Sequence, residues 1–258
     1  MLSIDLSIIS MIRSFILNSG EELKFFGEEF NNRHDRLIAS NVPISKATRL
    51  IFLDSRGISK SYAESLIRLC HEQWRDSIGY ITVIRPFEIT TWLTLYNFLK
   101  LNSLGVEEII TNMGFVDFTP KKKSIIEKST YQCTLFFSKN DAIIRPLENY
   151  IDSNNITIKL YSLSYGDKIS TALSNLQLDY SLTILNTPTL RNGFYYERKR
   201  PLSFHTGILK SNAFNSQIFS DSNVLDIGEF NEGLTYDGVH YTPEGNEIVF
   251  RKLLEMKN

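Results

Sequence analysis

The apolar residues fall into short uninterrupted runs separated by segments of helical spacing, with polar turns between them. Ile51-Phe52-Leu53 is one such run, and it ends at Asp54-Ser55-Arg56-Gly57, the pattern of a buried strand meeting a turn. Tyr62, Leu66, Leu69, Cys70 and Gln73-Trp74 follow at helical spacing, with Ser61 and Glu64 as a capping box. Residues 80–84 are a second strand candidate, closed by Arg85-Pro86, and a helix is expected over about 89–101. Residues 107–113 read as a third strand, entering Gly114-Phe115-Val116-Asp117. Residues 141–151 read as a helix, 156–161 as a fourth strand, 181–186 as a further strand and 224–227 as the last. The stretch 187–222 reads as a loop, with Pro188, Asn192-Gly193 and Pro201 as breakers. Thr242 as N-cap and Pro243 at the first helical position then open a helix carrying Ile248, Val249, Leu253 and Leu254.

Strand–helix alternation at this spacing implies a parallel sheet covered on both faces, an α/β fold. Active sites of such sheets lie at the carboxyl ends of the strands, where Asp54-Ser55 and Gly114 to Asp117 both fall. Up to residue 45 the chain looks helical and somewhat polar, ending in the charged segment 28–36. Residues 1–45 are therefore expected as an N-terminal helical extension and 46–258 as the α/β domain. Residues 2–17 are rich in Ile and Leu, but Asp5 and Arg13 interrupt them, with no basic n-region before and no small-residue cleavage site after. No stretch reaches the roughly 18 apolar residues of a membrane span, so the expectation is a cytoplasmic protein without one.

Composition narrows the partners. The 258 residues are 42% hydrophobic and 22% charged, which suits one globular domain, and a net charge of −1 gives no basic field for nucleic acid. Cys70 and Cys133 form neither a disulfide framework nor a metal spacing, and Cys70 lies on the apolar side of its helix as a core thiol. The four histidines show no ligand spacing and there is no Gly-rich phosphate loop, so no metal and no cofactor is expected. His34 reads as a surface residue and His71 as structural or exposed; His205, in the 187–222 loop, is a candidate to line a substrate cleft. Arg198-Lys199-Arg200 beside Tyr195-Tyr196, and Lys121-Lys122-Lys123, read as solvated loops. Asn155-Ile156-Thr157 matches a glycosylation acceptor, which without a leader stays unused.

The chemistry-bearing residues are Ser55, His240 and Asp237. A serine hydroxyl becomes a useful nucleophile when a base takes its proton and a third group orients that base. Ser55 stands at a strand end before a helix. His240 is the candidate base, and Asp237, three residues earlier in a turn, is the candidate to hold its tautomer.

Phe52-Leu53-Asp54-Ser55 before a helix, with Asp237-Gly238-Val239-His240-Tyr241-Thr242-Pro243-Glu244-Gly245 near the C-terminus, resembles the SGNH/GDSL hydrolase superfamily. The resemblance covers about residues 47–257. It implies a flavodoxin-like three-layer α/β/α sandwich, with Ser55 as nucleophile and Asp237 and His240 completing the triad. Three departures stand out. Leu53 replaces the family's Gly before Asp-Ser, residues 84–92 contain no oxyanion Gly, and Val116 stands where the oxyanion Asn belongs. Backbone N–H groups at Ser55 and Arg56, Asn112, Gly114 and the charge of Arg56 or Arg85 are the remaining candidates for oxyanion or substrate contacts. Divergent members with this Gly-x-Val-Asp form accompany surface-polysaccharide synthesis, which implies a carbohydrate O-acyl ester, chiefly O-acetyl, as the bond handled. Water as second acceptor makes an esterase or deacetylase, and a sugar hydroxyl makes an O-acyltransferase. The rival class is a non-catalytic carbohydrate-binding or scaffold descendant. The oligomeric state is left open.

Overall fold

The structure, a computed structural model, describes residues 37–58, 62–84, 90–151, 155–189, 202–228 and 234–257. Its strands are β1 (Leu37–Ser40), β2 (Arg49–Leu53), β3 (Tyr80–Ile84), β4 (Glu108–Thr111), β5 (Lys121–Lys122), β6 (Ala142–Ile151), β7 (Thr157–Tyr165), β8 (Ser181–Leu185) and β9 (Asn223–Leu225). The helices are α1 (Leu66–Gln73), α2 (Trp92–Leu101), α3 (Phe115–Phe118), α4 (Lys123–Tyr131), α5 (Asp167–Ser174), α6 (Leu176–Asp179), α7 (Leu202–Ile218) and α8 (Pro243–Glu255).

Six strands form the main sheet in the order β1-β3-β2-β4-β8-β9. Five run parallel, and β1 pairs antiparallel with β3 at one edge. All five residues of β2 and of β3 are buried, because both faces of the sheet are covered. Leu50, Phe52, Ile81, Val83, Ile109 and Ile184 point to one side, beneath Trp92, Leu95 and Phe98 of α2, Ile169 and Leu173 of α5, and Leu176 of α6. Ile51, Leu53, Ile84, Ile110 and Leu185 point to the other, beneath Leu66, Ile67 and Cys70 of α1 and Val249 and Leu253 of α8. The protein is therefore an α/β fold on a mixed, mostly parallel sheet. No helix among the described residues is long and apolar enough to cross a membrane.

Between β4 and β8 the chain builds a second, antiparallel sheet in the order β5-β7-β6. Phe118 of α3, Tyr165 of β7 and Phe214 of α7 join it to the main body, with ring centroids 5.0–6.3 Å apart.

Several expected elements change. Residues 142–151 are a strand and not a helix, because Pro146 removes an N–H and its ring would clash with the preceding helical turn. The strand expected over 156–161 is β7, which pairs with β5 and β6 outside the parallel sheet. Residues 202–218 form α7 where a loop was expected. Of the segment expected as a helical extension, residues 37–40 are β1, so the main sheet begins before the boundary at 45/46. Helix α1 is capped by Ser65, whose hydroxyl accepts from the Arg68 N–H, and the box expected from Ser61 to Glu64 begins outside the described residues. Lys121 and Lys122 form β5 and Lys123 opens α4, in place of a loop.

Candidate functional site

Ser55 is carried by the turn that leaves β2 at its carboxyl end. Asp54 caps this 3-10 turn, Ser55–Gly57, by accepting the Arg56 N–H at 2.9 Å. The Asp54 carboxylate also meets the Arg56 Nε at 3.0 Å on each oxygen and its terminal nitrogen at 2.9 Å. Arg56 is 1% exposed, donates further to Thr187 Oγ1 and the Asn112 carbonyl, and lies 4.8 Å over the Phe115 ring. Asn112, at the end of β4, closes the arrangement reciprocally: its Nδ2 donates to Asp54 Oδ1 at 3.0 Å and its Oδ1 accepts the Asp54 N–H at 2.9 Å. The ends of β2, β4 and β8 are thus tied together beneath Ser55.

His240 reaches Ser55 from the loop before α8. Thr235 and Tyr241 form an antiparallel bridge, and Tyr236 N–H donates to the His240 carbonyl at 2.9 Å. Gly238 turns the loop at φ 78°, a left-handed conformation that glycine adopts without steric cost. Thr242 caps α8 by accepting the Gly245 N–H at 2.9 Å, with Pro243 at the first position. Gly245 lies against the Leu234 carbonyl, and a Cβ there would sit 2.0 Å from that oxygen. Gly245→Ala is therefore expected to destabilise the fold by about 1–3 kcal/mol, read as a lowered urea midpoint, because backbone must move. An unchanged midpoint would contradict this packing.

The three predicted residues come together. Ser55 Oγ lies 3.2 Å from His240 Nε2. His240 Nδ1 lies 3.2 and 3.1 Å from the two oxygens of Asp237. Asp237 is buried and also accepts the backbone N–H groups of Val239 at 3.2 Å and His240 at 2.9 Å. These bonds orient the carboxylate before it meets the imidazole. With the proton on Nδ1, Nε2 is left as the acceptor for the serine hydroxyl.

The candidate oxyanion donors are placed otherwise. The Arg56 N–H and the Asn112 amide are engaged by Asp54. Gly114, at φ 108°, packs under α7, where a Cβ would meet Ser211 Oγ at 2.7 Å and Asn215 Oδ1 at 2.9 Å. Ser55, at the first position of its turn, keeps an N–H with no acceptor within that turn. His205 sits on α7, half-buried and edge-on to Phe204, and not in a loop. Phe204 and Ile208 of that helix pack on Phe115 and Val239 beside the histidine. Arg85, His34, Ser61, Tyr195, Tyr196 and residues 198–200 lie outside the described residues. Among the described residues no three His, Cys, Asp or Glu side chains gather to hold a metal.

Asparagines on α7 carry a role the sequence did not announce. Asn212 exchanges two bonds with the backbone of Thr187, at 3.1 and 2.8 Å. Asn215 donates to the Met113 carbonyl and to Asn186 and accepts from Trp92 Nε1. The only sequence signal available was polar residues at helical spacing, 211, 212 and 215, in a segment without a clean apolar stripe.

Two buried titrating groups frame the pH behaviour. Burial pushes the Asp117 carboxyl up to about 6, against hydrogen bonds from Tyr165 and the N–H of Trp92. Its contribution to stability is therefore present below pH 4 and lost as pH rises to 6. Burial pushes His71 down to about 4, where its Nε2 pairs with Thr82 Oγ1 at 2.7 Å. That contribution is present above pH 6.5 and lost as pH falls to 4. Each shift corresponds to roughly 3 kcal/mol, and the two oppose across the same window. Asp117→Asn should leave the His71 slope alone, so its urea midpoint should climb from pH 4 to 6.5 more steeply than wild type. Parallel profiles would refute the assignment.

No family model matches the chain, and no curated protein matches it. A solved structure from Streptococcus pneumonia, described as "a putative platelet activating factor", superposes with a TM-score of 0.48 at 11% identity, covering 98% of this chain and 100% of the other. Similarity at that level transfers neither fold nor activity.

Proposed function

We propose that this chain is a divergent SGNH-type serine esterase that hydrolyses O-acyl, chiefly O-acetyl, esters of a carbohydrate through an acyl-enzyme on Ser55. The observation that carries the reading is the continuous contact from Ser55 Oγ through the His240 ring to the Asp237 carboxylate. Residues 185 apart in sequence meet in the order nucleophile, base, orienting acid. The parallel strands support it. Numbered along the chain, β2, β3, β4, β8 and β9 take the spatial order 2-1-3-4-5, that of flavodoxin-like sheets. Ser55 follows the strand at which that order reverses.

In this mechanism His240 Nε2 takes the proton of Ser55 as its oxygen attacks the ester carbonyl. The imidazolium is held by Asp237 and returns the proton to the departing sugar alkoxide. A water then attacks the acyl-serine, giving its proton to His240, and the carboxylic acid leaves as Ser55 is regenerated. The Ser55 N–H, which has no acceptor within its own turn, is the donor assigned to the oxyanion. A sugar hydroxyl in place of water would make the same site an O-acyltransferase.

One observation favours the rival reading, a non-catalytic carbohydrate-binding descendant: the Arg56 N–H and the Asn112 amide both serve the fold's own Asp54 carboxylate. Fluorophosphonate labelling separates the two. An active triad should give one covalent adduct on Ser55 by mass spectrometry, with loss of p-nitrophenyl acetate hydrolysis in Ser55→Ala. Absence of the adduct in the folded protein would favour the binding reading.

A further inference from the structure

A second concave site lies between the antiparallel sheet and α7, apart from the triad. It encloses about 270 Å³ and is lined by Phe118, Glu148, Ser162, Ser203, Thr206 and Lys210. Sequence and fold explain why these groups converge. The pairing of β6 with β7 slips between Pro146 and Asn149, an irregularity that re-aims Leu147 and Glu148 toward α7. Positions 203, 206, 207 and 210 form one face of α7, and Gly207 lets that helix approach α3, since a Cβ would meet the Phe118 carbonyl at 2.7 Å. The adjoining face carries Phe204 and Ile208 onto Phe115 and Val239, an apolar cluster beside the histidine.

The polar groups of the cavity have capacity left over. Glu148 accepts the Ser203 N–H at 3.0 Å through one oxygen, which leaves the other for a ligand. Ser203 Oγ has no partner among the described residues but is shut off from solvent, so it is not one of the groups offered to a ligand. Ser162, 7% exposed, lines the cavity as well. Glu148 and Lys210 line one small space yet form no ion pair with each other.

We infer that this cavity is a binding site for a single sugar ring or a comparable polyol. A vicinal diol both donates and accepts at each oxygen, which matches the carboxylate of Glu148, the ammonium of Lys210 and the hydroxyl-bearing Ser162 and Thr206 that line the cavity with Phe118. A simple anion would be opposed by Glu148 and a simple cation by Lys210. The volume lies just below the range of about 300–1,000 Å³ that holds drug-sized ligands, which suits one ring. The inference stands on the cavity and not on the reaction at Ser55, so it survives if that reading fails.

Titration calorimetry and saturation-transfer NMR on the full chain test it, with D-glucose, D-galactose and N-acetyl-D-glucosamine as probes and glycine as a zwitterionic control. At least one sugar should bind saturably, with Kd on the order of 1 mM. Lys210→Met and Ser162→Ala should each weaken it about tenfold while the circular dichroism spectrum and melting temperature stay close to wild type. Ser55→Ala should bind as wild type does. The assignment is overturned if no sugar binds up to about 100 mM, if glycine alone binds, or if both folded cavity variants bind unchanged.

Discussion

His240→Ala is expected to lower kcat for p-nitrophenyl acetate about 10⁶-fold, and Asp237→Asn about 10⁴-fold. The two numbers differ for a structural reason. Without His240 nothing takes the Ser55 proton, and the hydroxyl 3.2 Å from the former Nε2 remains a poor nucleophile. Asparagine at 237 keeps the size and the backbone bonds from Val239 and His240 but turns an amide toward Nδ1. The proton then resides on Nε2, facing the serine as a donor rather than an acceptor. Steady-state rates and fluorophosphonate labelling of both variants decide the matter. An Asp237→Asn enzyme as active as wild type would remove Asp237 from the triad, and an active His240→Ala enzyme would remove the mechanism.

The second large effect is on stability. Arg56→Met should cost about 3–5 kcal/mol in urea unfolding, because it leaves the Asp54 carboxylate buried without its cation. Methionine fills much of the same volume, so little of the loss is cavity. Asp54→Asn combined with Arg56→Met should recover a large part of it, since the isolated charge disappears while Asn112 still has a partner. The single variant should also label more slowly at Ser55 under conditions where it is folded, as the turn loses its anchor to Thr187. A loss below about 1 kcal/mol would show that Asp54 does not need this cation, because exposed ion pairs contribute no more than that.

How far the sequence was legible depends on the range of the forces involved. The strands Arg49–Leu53, Tyr80–Ile84 and Ser181–Leu185 stood out because a parallel sheet covered on both faces needs continuous apolar runs. The start of α8 was equally plain, since a Thr cap and a Pro at the first turn act over three residues. Helix α7 was hidden. Its inward positions include Phe204, Ile208, Ser211 and Asn215, so half of that stripe is polar, and Asn215 finds its partners in Met113 and Asn186, far away in sequence. Strand β6 was hidden for the opposite reason. Much of it is solvent-facing, so its pattern carries no burial signal, and the pairing with β7 supplies what its own residues lack.

The same division runs through the site. By itself the sequence picked out the candidate residues, Ser55 at a strand end and Asp237 and His240 in one turn before a capped helix, because strand ends, turns and caps are built from neighbouring residues. Only the tertiary structure decided that Ser55 meets His240, that Arg56 and Asn112 bond to Asp54, and that Gly114 packs beneath α7. A polar side chain bonds whichever partner the fold brings within about 3 Å, and that partner is set by packing across the whole sheet, not by its neighbours along the chain.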